Sequence, residues 1–235
     1  MAEATGLRCL IIGAASGIGR ATAALLADRG AAVVGADRAW PEGEVGALLV
    51  DVTDASSVER TVADAASRLG GLDAVINTAG ILGTVQPAAE ESAEEFQRLV
   101  DVNLTGAFHV SRATLPVLVD SPHGRLVHCS STAGKEGVAQ MTGYSASKAG
   151  VMGLVKALAR EYAHTSVTVN AIAPGKIDSP FVGEGTVSAT DLAKIPMGRL
   201  GTVDEAAELL AFIVSPASSY CTGVIFDLSG GRATW

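Results

Sequence analysis

The sequence predicts an α/β fold, a doubly wound parallel sheet of about seven strands with helices on both faces, formed by a single domain over residues 1–235. Three observations carry this expectation. Short β-type runs alternate with longer helical patterns along the whole chain, the order that crossover helices over a parallel sheet impose. Hydrophobic residues are 48% and charged residues 18% of the 235, a composition that can bury a large core and is unlike that of a disordered chain. No repeat, low-complexity stretch or Pro/Ser-rich linker divides it.

The β-type runs are 7–12 (LRCLII), 32–36 (AVVGA), 47–50 (ALLV), 74–76 (AVI), 125–129 (RLVHC), 167–171 (VTVNA) and 224–226 (VIF). Each is short and nearly continuous in apolar character, as expected of a strand covered on both faces. Helical patterns fall at 18–29, 56–69, 93–119, 143–163 and 204–214. The third opens with Ser92 and Glu95, a capping-box spacing in which each side chain meets the other's free backbone amide. The connection 38–46 is too brief for a full crossover helix, and 181–194 reads as a flexible lid beside a ligand.

Charge and cysteine content exclude several function classes. Lys and Arg number 17 against 25 Asp and Glu, a net charge of −8, whereas a nucleic-acid binder needs a basic face to displace counterions. Cys9, Cys129 and Cys221 are odd in number, widely spaced and set in apolar stretches, which reads as buried thiols in a reducing, cytoplasmic compartment. No membrane span is expected, since no apolar run approaches about 18 residues. His109, His123, His128 and His164 share no ligand-like spacing, so no metal is expected.

After the first strand comes Gly13-Ala14-Ala15-Ser16-Gly17-Ile18-Gly19, leading directly into a helical pattern. Glycines let the backbone turn sharply against a diphosphate, and the free amides of the helix start favour its charge, as in a Rossmann-type dinucleotide unit. Asp37 ends the second strand, 24 residues beyond Gly13, where a carboxylate accepts from both adenosine ribose hydroxyls and repels a 2′-phosphate. That favours NAD over NADP, although Arg38 follows and offers a phosphate partner. Asp51 and Val52 stand where an adenine could be met, but an Asp before Thr53-Asp54 reads equally as a helix-start residue.

Tyr144 and Lys148 lie four residues apart, on one face of a helix. A tyrosine titrates near about 10, and bringing it to about 7 takes roughly 4 kcal/mol, which Lys148 and a cationic nicotinamide together are expected to supply. Tyr144 would then give and take protons near neutrality. In isolation the pair reads more readily as a solvated helix face; the surrounding motifs reverse that.

The chain resembles the short-chain dehydrogenase/reductase family from end to end. The resemblance rests on Gly13-x-x-x-Gly17-x-Gly19, Asn77-Thr78-Ala79-Gly80, Asn103 in DVNLTG, Ser131 in HCSSTAG, Tyr144-x-x-x-Lys148 and Pro174-Gly175, in the family's order, with Ser131 13 residues before Tyr144. It implies an NAD-dependent oxidoreductase that interconverts a secondary alcohol and a ketone. Tyr144 is then the general acid/base, Ser131 bonds the substrate oxygen, Lys148 holds the nicotinamide ribose and lowers the tyrosine pKa, and Asn103 binds a water that completes a proton relay. Ser16, Ile18, Asn77, Ala79 and Gly80 join the cofactor-binding set. Pro174, Gly175, Ile177 and Ser179 line the nicotinamide side. The helices 93–119 and 143–163 are expected to pair across a four-helix bundle, giving a homotetramer, with a dimer as second choice.

Departures are local: Ile12 and Thr78 replace a threonine and an asparagine, Ser179 replaces a threonine, and Leu228-Ser229-Gly230-Gly231 alters one structural anchor near the carboxyl end. Pocket walls are expected from 82–85, Thr132, 138–142 and 181–194, with Gln140 as a polar substrate contact. The alternative within the enzyme class is an NADPH-dependent 3-oxoacyl thioester reductase, recruiting its substrate through Lys135, Lys176 and Lys194. A different class, a non-enzymatic dinucleotide-sensing scaffold, is expected to have lost the Ser, Tyr or Lys, and all three are present.

Overall fold

Residues 4–41, 47–181 and 189–233 are described by a computed structural model. Strands β1 (Arg8–Ile12), β2 (Ala32–Asp37), β3 (Leu48–Leu49), β4 (Ala74–Asn77), β5 (Arg125–Cys129), β6 (Thr168–Pro174) and β9 (Ile225–Leu228) form one parallel sheet in the order β3-β2-β1-β4-β5-β6-β9. A second, two-stranded sheet pairs β7 (Ile177–Asp178) with β8 (Gly201–Thr202). The order reverses between β1 and β4, and a crevice opens at such a switch point beyond the carboxyl ends of the strands.

Alternation along β1 shows why the sheet is covered on both faces. Leu10 and Ile12 join one core cluster with Val58 and Val62 of α2 (Ala55–Leu69), Val110 of α4 (Gly106–Leu118) and Val151 of α6 (Thr142–Tyr162). Cys9 and Ile11 point the other way, into a cluster with Leu26 of α1 (Gly17–Asp28) and Leu210 and Ile213 of α8 (Val203–Val214). A strand buried on both faces therefore reads as continuous apolar sequence. Cys9 is buried, whereas Cys129 and Cys221 are only half-buried, and none is in a disulfide.

The pattern 93–119 is one helical run with a π-bulge inside it, the backbone staying helical through Val100, Asp101, Thr105 and Gly106. It divides into α3 (Ala93–Val100), a π-helical turn (Asp101–Thr105) and α4. The reason is local: Asn103 turns inward onto the backbone of Ile81, and Gly106 sits so close to Val52 that a Cβ would lie 2.8 Å from its Cγ2. The expected Ser92–Glu95 box is half formed. Ser92 Oγ accepts from Glu95 N at 3.1 Å, but the Glu95 carboxylate is taken by Arg98. A complete box occurs instead at Thr202 and Glu205, starting α8.

Helices α5 (Thr132–Glu136) and α7 (Ala189–Ala193), with β7 and β8, had no periodic signal at their lengths. In the connection 38–46, positions 42–46 lie outside the described residues, as do 182–188 of the expected lid.

At the opposite edge from the crevice, Asp73 fastens three segments. It accepts from Arg8 Nε (2.9 Å), Arg8 Nη2 (2.7 Å), Arg8 N (3.0 Å) and Ser121 Oγ (2.7 Å). Burial opposes ionisation of this carboxyl, yet those bonds outweigh it and hold it at about 2. A depressed folded-state value contributes stability that is present above about 4 and lost as pH falls through the folded value. Asp73→Asn is expected to cost about 1–2 kcal/mol at neutral pH. In thermal unfolding, the gap between wild type and variant should narrow as pH is lowered from 7 to 2.5, most steeply below about 4.

Candidate active site

The crevice is a cavity of about 560 Å³. Its floor at one end is the turn between β1 and α1, where Gly13 has a φ of +87°. A Cβ there would lie 2.6 Å from Thr78 Oγ1 and 2.8 Å from Ala79 N, and one on Gly19 would press into the Gly13 carbonyl. Thr78 locks the same turn by donating to the carbonyls of Ile12 (2.9 Å) and Gly13 (3.2 Å). In the sequence it stood out only as a departure from the family's motif. Ser16 is the N-cap of α1, yet its side chain makes no capping bond. The first amides of a helix lack intrahelical partners, and Ser16, Gly17, Ile18 and Gly19 all border the cavity. Turn and helix start together suit a diphosphate.

Asp37 stands at the carboxyl end of β2, its Oδ2 accepting from Ala15 N at 2.9 Å and its Oδ1 from Arg38 N at 2.7 Å. Each oxygen keeps a lone pair for a further donor. The Arg38 guanidinium is exposed and lies 4.0 Å from Asp51 Oδ2. Asp51 accepts from Thr53 N and Oγ1, which hold its carboxyl below the usual range. It is not the helix start: Asp54 caps α2 through Ser56 N. Val52 also borders this end, with Thr53, Arg98 and Val102, which sequence reasoning did not place.

At the other end, α6 presents Tyr144 and Lys148 to the cavity beside Ser131, the N-cap of α5. Ser131 Oγ accepts from Ala133 N at 3.1 Å and stands close enough to the Tyr144 phenol to favour its ionised form. Lys148 Nζ donates to Cys129 O at 2.9 Å and lies 5.8 Å from the Tyr144 ring centre. Ser130 Oγ donates to the Lys148 carbonyl at 2.8 Å, fixing the helix there. The start of α6 is held from elsewhere, since the Glu91 carboxylate accepts from Gly143 N at 3.1 and 3.3 Å. Nothing in the spacing of Glu91 marked that contact.

The protein on its own does not give Tyr144 the lowered pKa expected from Lys148. With only 6% of Tyr144 exposed, burial raises it, and the nearby Ser131 hydroxyl offsets part of the rise. Lys148, 3% exposed, is pushed down by burial in turn. Burial thus drives both groups toward their neutral forms, and among the described residues no carboxylate pairs with the lysine, whose Nζ is bonded to a carbonyl.

Asn103, buried in the π-helical turn, does not border the cavity. Its Oδ1 accepts from Ile81 N at 2.9 Å, and its Nδ2 donates to Ile81 O (3.0 Å) and Ser147 Oγ (3.1 Å). Only one lone pair of Oδ1 is left for a water. A Cβ on Gly80 would lie 3.0 Å from that oxygen and 3.1 Å from Lys148 Nζ, so the missing side chain lets the two groups share a space.

Ala79, Gly80, Pro174, Gly175, Ile177 and Ser179 border the cavity as well. The altered anchor at Ser229 is built with other partners: its Oγ accepts from Ala233 N at 3.0 Å, and Asp227 Oδ1 accepts from Ser229 N at 3.1 Å. Asn77 and Gln140 do not border the cavity. Asn77 faces His128 inside the sheet, and Gln140 is an exposed turn residue with a φ of +67° whose carbonyl accepts from Gln86 N. Among the described residues of the expected walls only Phe181 joins, and Ile81 and Cys129 join from outside them; 82–85, Thr132, 138–142 and 189–194 do not. Among the described residues no cluster of three or more His, Cys, Asp or Glu comes together, and no helix is long and apolar enough to cross a membrane.

A family described as enoyl-(acyl carrier protein) reductase matches residues 13–233. The 2-dehydro-3-deoxy-L-rhamnonate dehydrogenase (NAD(+)) of Sphingomonas sp. (strain SKA58) is 40% identical over 97% of this chain and 96% of its own. The cis-4-hydroxycyclohexanecarboxylate dehydrogenase of Sinomonas cyclohexanicum is also 40% identical, over 98% of each. Among solved structures, the 3-ketoacyl-(acyl-carrier-protein) reductase from Brucella melitensis complexed with NADH superposes with a TM-score of 0.90 at 33% identity, covering 99% of this chain and 100% of its own. A seven-stranded parallel sheet, a glycine turn at its switch point and full-length matches of this kind have one common reading: the chain belongs to the short-chain dehydrogenase/reductase family.

Proposed function

We propose that this NAD(P)-dependent oxidoreductase prefers NAD and interconverts a small secondary alcohol and its ketone, with Tyr144, Ser131, Lys148 and Asn103 as the proton machinery. The observation that carries this reading is one cavity bordered at one end by the Gly13–Gly19 turn and Asp37, and at the other by Ser131, Tyr144 and Lys148. When bound, the dinucleotide supplies the acceptor for the hydride that leaves the carbinol carbon.

The chain's own residues handle the proton. The Tyr144 oxygen takes the hydroxyl proton as the carbonyl forms and returns it in the reverse direction. Ser131 holds the substrate oxygen by a hydrogen bond, keeping it against the phenol. Protonated Lys148 stabilises the phenolate, which reverses the effect of burial once the cation of the oxidised cofactor shares the site. Asn103 fixes the Ile81 backbone and, through its spare lone pair, a water beside Lys148.

Asp37 supports the preference for NAD, since a 2′-phosphate beside an ionised carboxylate costs several kcal/mol. Asp37→Ser is expected to shift the NADP-to-NAD ratio of kcat/KM toward NADP by at least about tenfold. Unchanged selectivity would place the discrimination elsewhere.

The 3-oxoacyl thioester reading needs basic residues at the mouth. Of those considered, Lys135 pairs with Asp227 at 3.1 Å and Lys176 with Asp191 at 3.2 Å, whereas Lys194 is exposed, and the likeness to a 3-ketoacyl-(acyl-carrier-protein) reductase keeps this reading as the alternative. We place the protein in the cytoplasm as a single dinucleotide-binding and catalytic domain, assembled as a homotetramer, with a dimer as second choice. Phe96 on α3 and Phe108 on α4, both exposed, support a helical contact between copies. Light scattering after size exclusion tests the assembly.

The activity is tested by offering secondary alcohols, cyclic diols and sugar acids with NAD and with NADP, and following absorbance of the reduced cofactor. The expected result is turnover of at least one class, faster with NAD. No turnover of any class in either direction would count against the reading.

A further inference from the structure

We infer that His128 is a positioning residue that sets the cofactor-facing turn 78–80 through Asn77. The inference rests on the dinucleotide reading above and adds to it a residue that touches neither cofactor nor substrate. His128 lies on β5 directly beside Asn77 on β4, is 1% exposed and does not border the cavity. Asn77 ends its strand one residue before that turn begins.

The hydrogen bonds run in one direction, and the cavity side fixes it. Ala79 N donates to Asn77 Oδ1 at 3.2 Å, so the amide nitrogen of Asn77 is the end that faces His128 Nδ1, at 3.3 Å. An amide nitrogen only donates, so Nδ1 must be the bare ring nitrogen and the proton must sit on Nε2. Nε2 then donates to Ser111 Oγ at 2.9 Å, and the Ser111 hydroxyl donates to the Ala107 carbonyl at 2.8 Å, within α4. From the turn through two strands into a helix, every donor points the same way.

The ring must also stay neutral, because a protonated Nδ1 would set donor against donor. Burial does this, with the nearby Lys148 cation adding to it, and the imidazole is pushed down to about 3. On its other side the same turn is held by Thr78, whose hydroxyl donates to the carbonyls of Ile12 and Gly13. The turn is therefore held from both sides, and His128 supplies the hold that the cavity does not see.

The test separates the two ring nitrogens. An asparagine carries its amide near the place of Nδ1, whereas a glutamine reaches that of Nε2. NADH binding is measured by titrating the fluorescence of the reduced nicotinamide, with thermal unfolding to confirm that each variant is folded. His128→Leu and His128→Gln are expected to weaken binding about tenfold, and His128→Asn to stay within about threefold of wild type.

Wild-type affinity in His128→Leu, equal weakening in all three variants, or rescue by Gln and not by Asn would each overturn the assignment. If His128→Leu does not fold, the Asn and Gln variants carry the comparison. Failure of the wild-type protein to bind NADH is a distinct result, which would remove the dinucleotide reading and this inference with it.

Discussion

Tyr144→Phe is expected to lower kcat for alcohol oxidation by about 10³-fold, within the range of a lost general acid/base, while NADH binding stays within about twofold. The change removes one oxygen and keeps the ring, so packing of α6 is preserved. Ser131 Oγ still accepts from Ala133 N. Steady-state kinetics with a fluorescence titration read both quantities. A variant that turns over like the wild type would show that the phenol carries no proton. A variant that binds NADH poorly would show that Tyr144 is mainly a cofactor contact.

The pH profile follows from the same residue. Since burial raises the tyrosine in the free protein, oxidation should accelerate with rising pH until the phenol ionises in the complex, and reduction should weaken over the same window.

The second large effect is expected at Gly19. Gly19→Ala places a methyl group against the Gly13 carbonyl and 2.6 Å from Thr78 Oγ1. Backbone and a hydroxyl already bonded twice have little room to yield. The β1–α1 turn must open or the helix must shift, at a cost of about 2–4 kcal/mol, and NADH affinity should fall by more than about 30-fold. Gly153→Ala is the control, because no atom stands within 4 Å of a Cβ there. It should leave NADH binding near wild type and raise the melting temperature slightly, since alanine is favoured over glycine by about 1 kcal/mol inside a helix. Equal behaviour of the two variants would mean that the turn tolerates a side chain.

How much of this was legible in the sequence depends on range. The seven main strands show as apolar runs because a strand covered on both faces carries a polar residue only where a partner is provided, and β1 with Leu10 and Ile12 on one side and Cys9 and Ile11 on the other is the clearest case. The Gly13–Gly19 turn is legible for a similar reason: only glycine fits where backbone meets backbone.

The site was less legible wherever distant segments meet. Glu91 holding Gly143, Asn103 gripping Ile81 and His128 ordering Asn77 depend on register and crossing geometry, which a local pattern does not encode. The π-helical turn was hidden because its sequence, DVNLT, continues an ordinary helical pattern. The lowered tyrosine pKa is expected from two charges, Lys148 and a cationic nicotinamide. Burial, which acts on both partners in the opposite sense, is not visible in a four-residue spacing.

The most direct measurement is a hydrogen-transfer experiment with a secondary alcohol carrying deuterium on its carbinol carbon, chosen from the turned-over panel and incubated with NAD. The account predicts one deuterium recovered on the reduced nicotinamide, proportionate ketone formation, and loss of both in Tyr144→Phe despite retained NADH binding. Reduced cofactor without deuterium, or undiminished transfer in Tyr144→Phe, would contradict it.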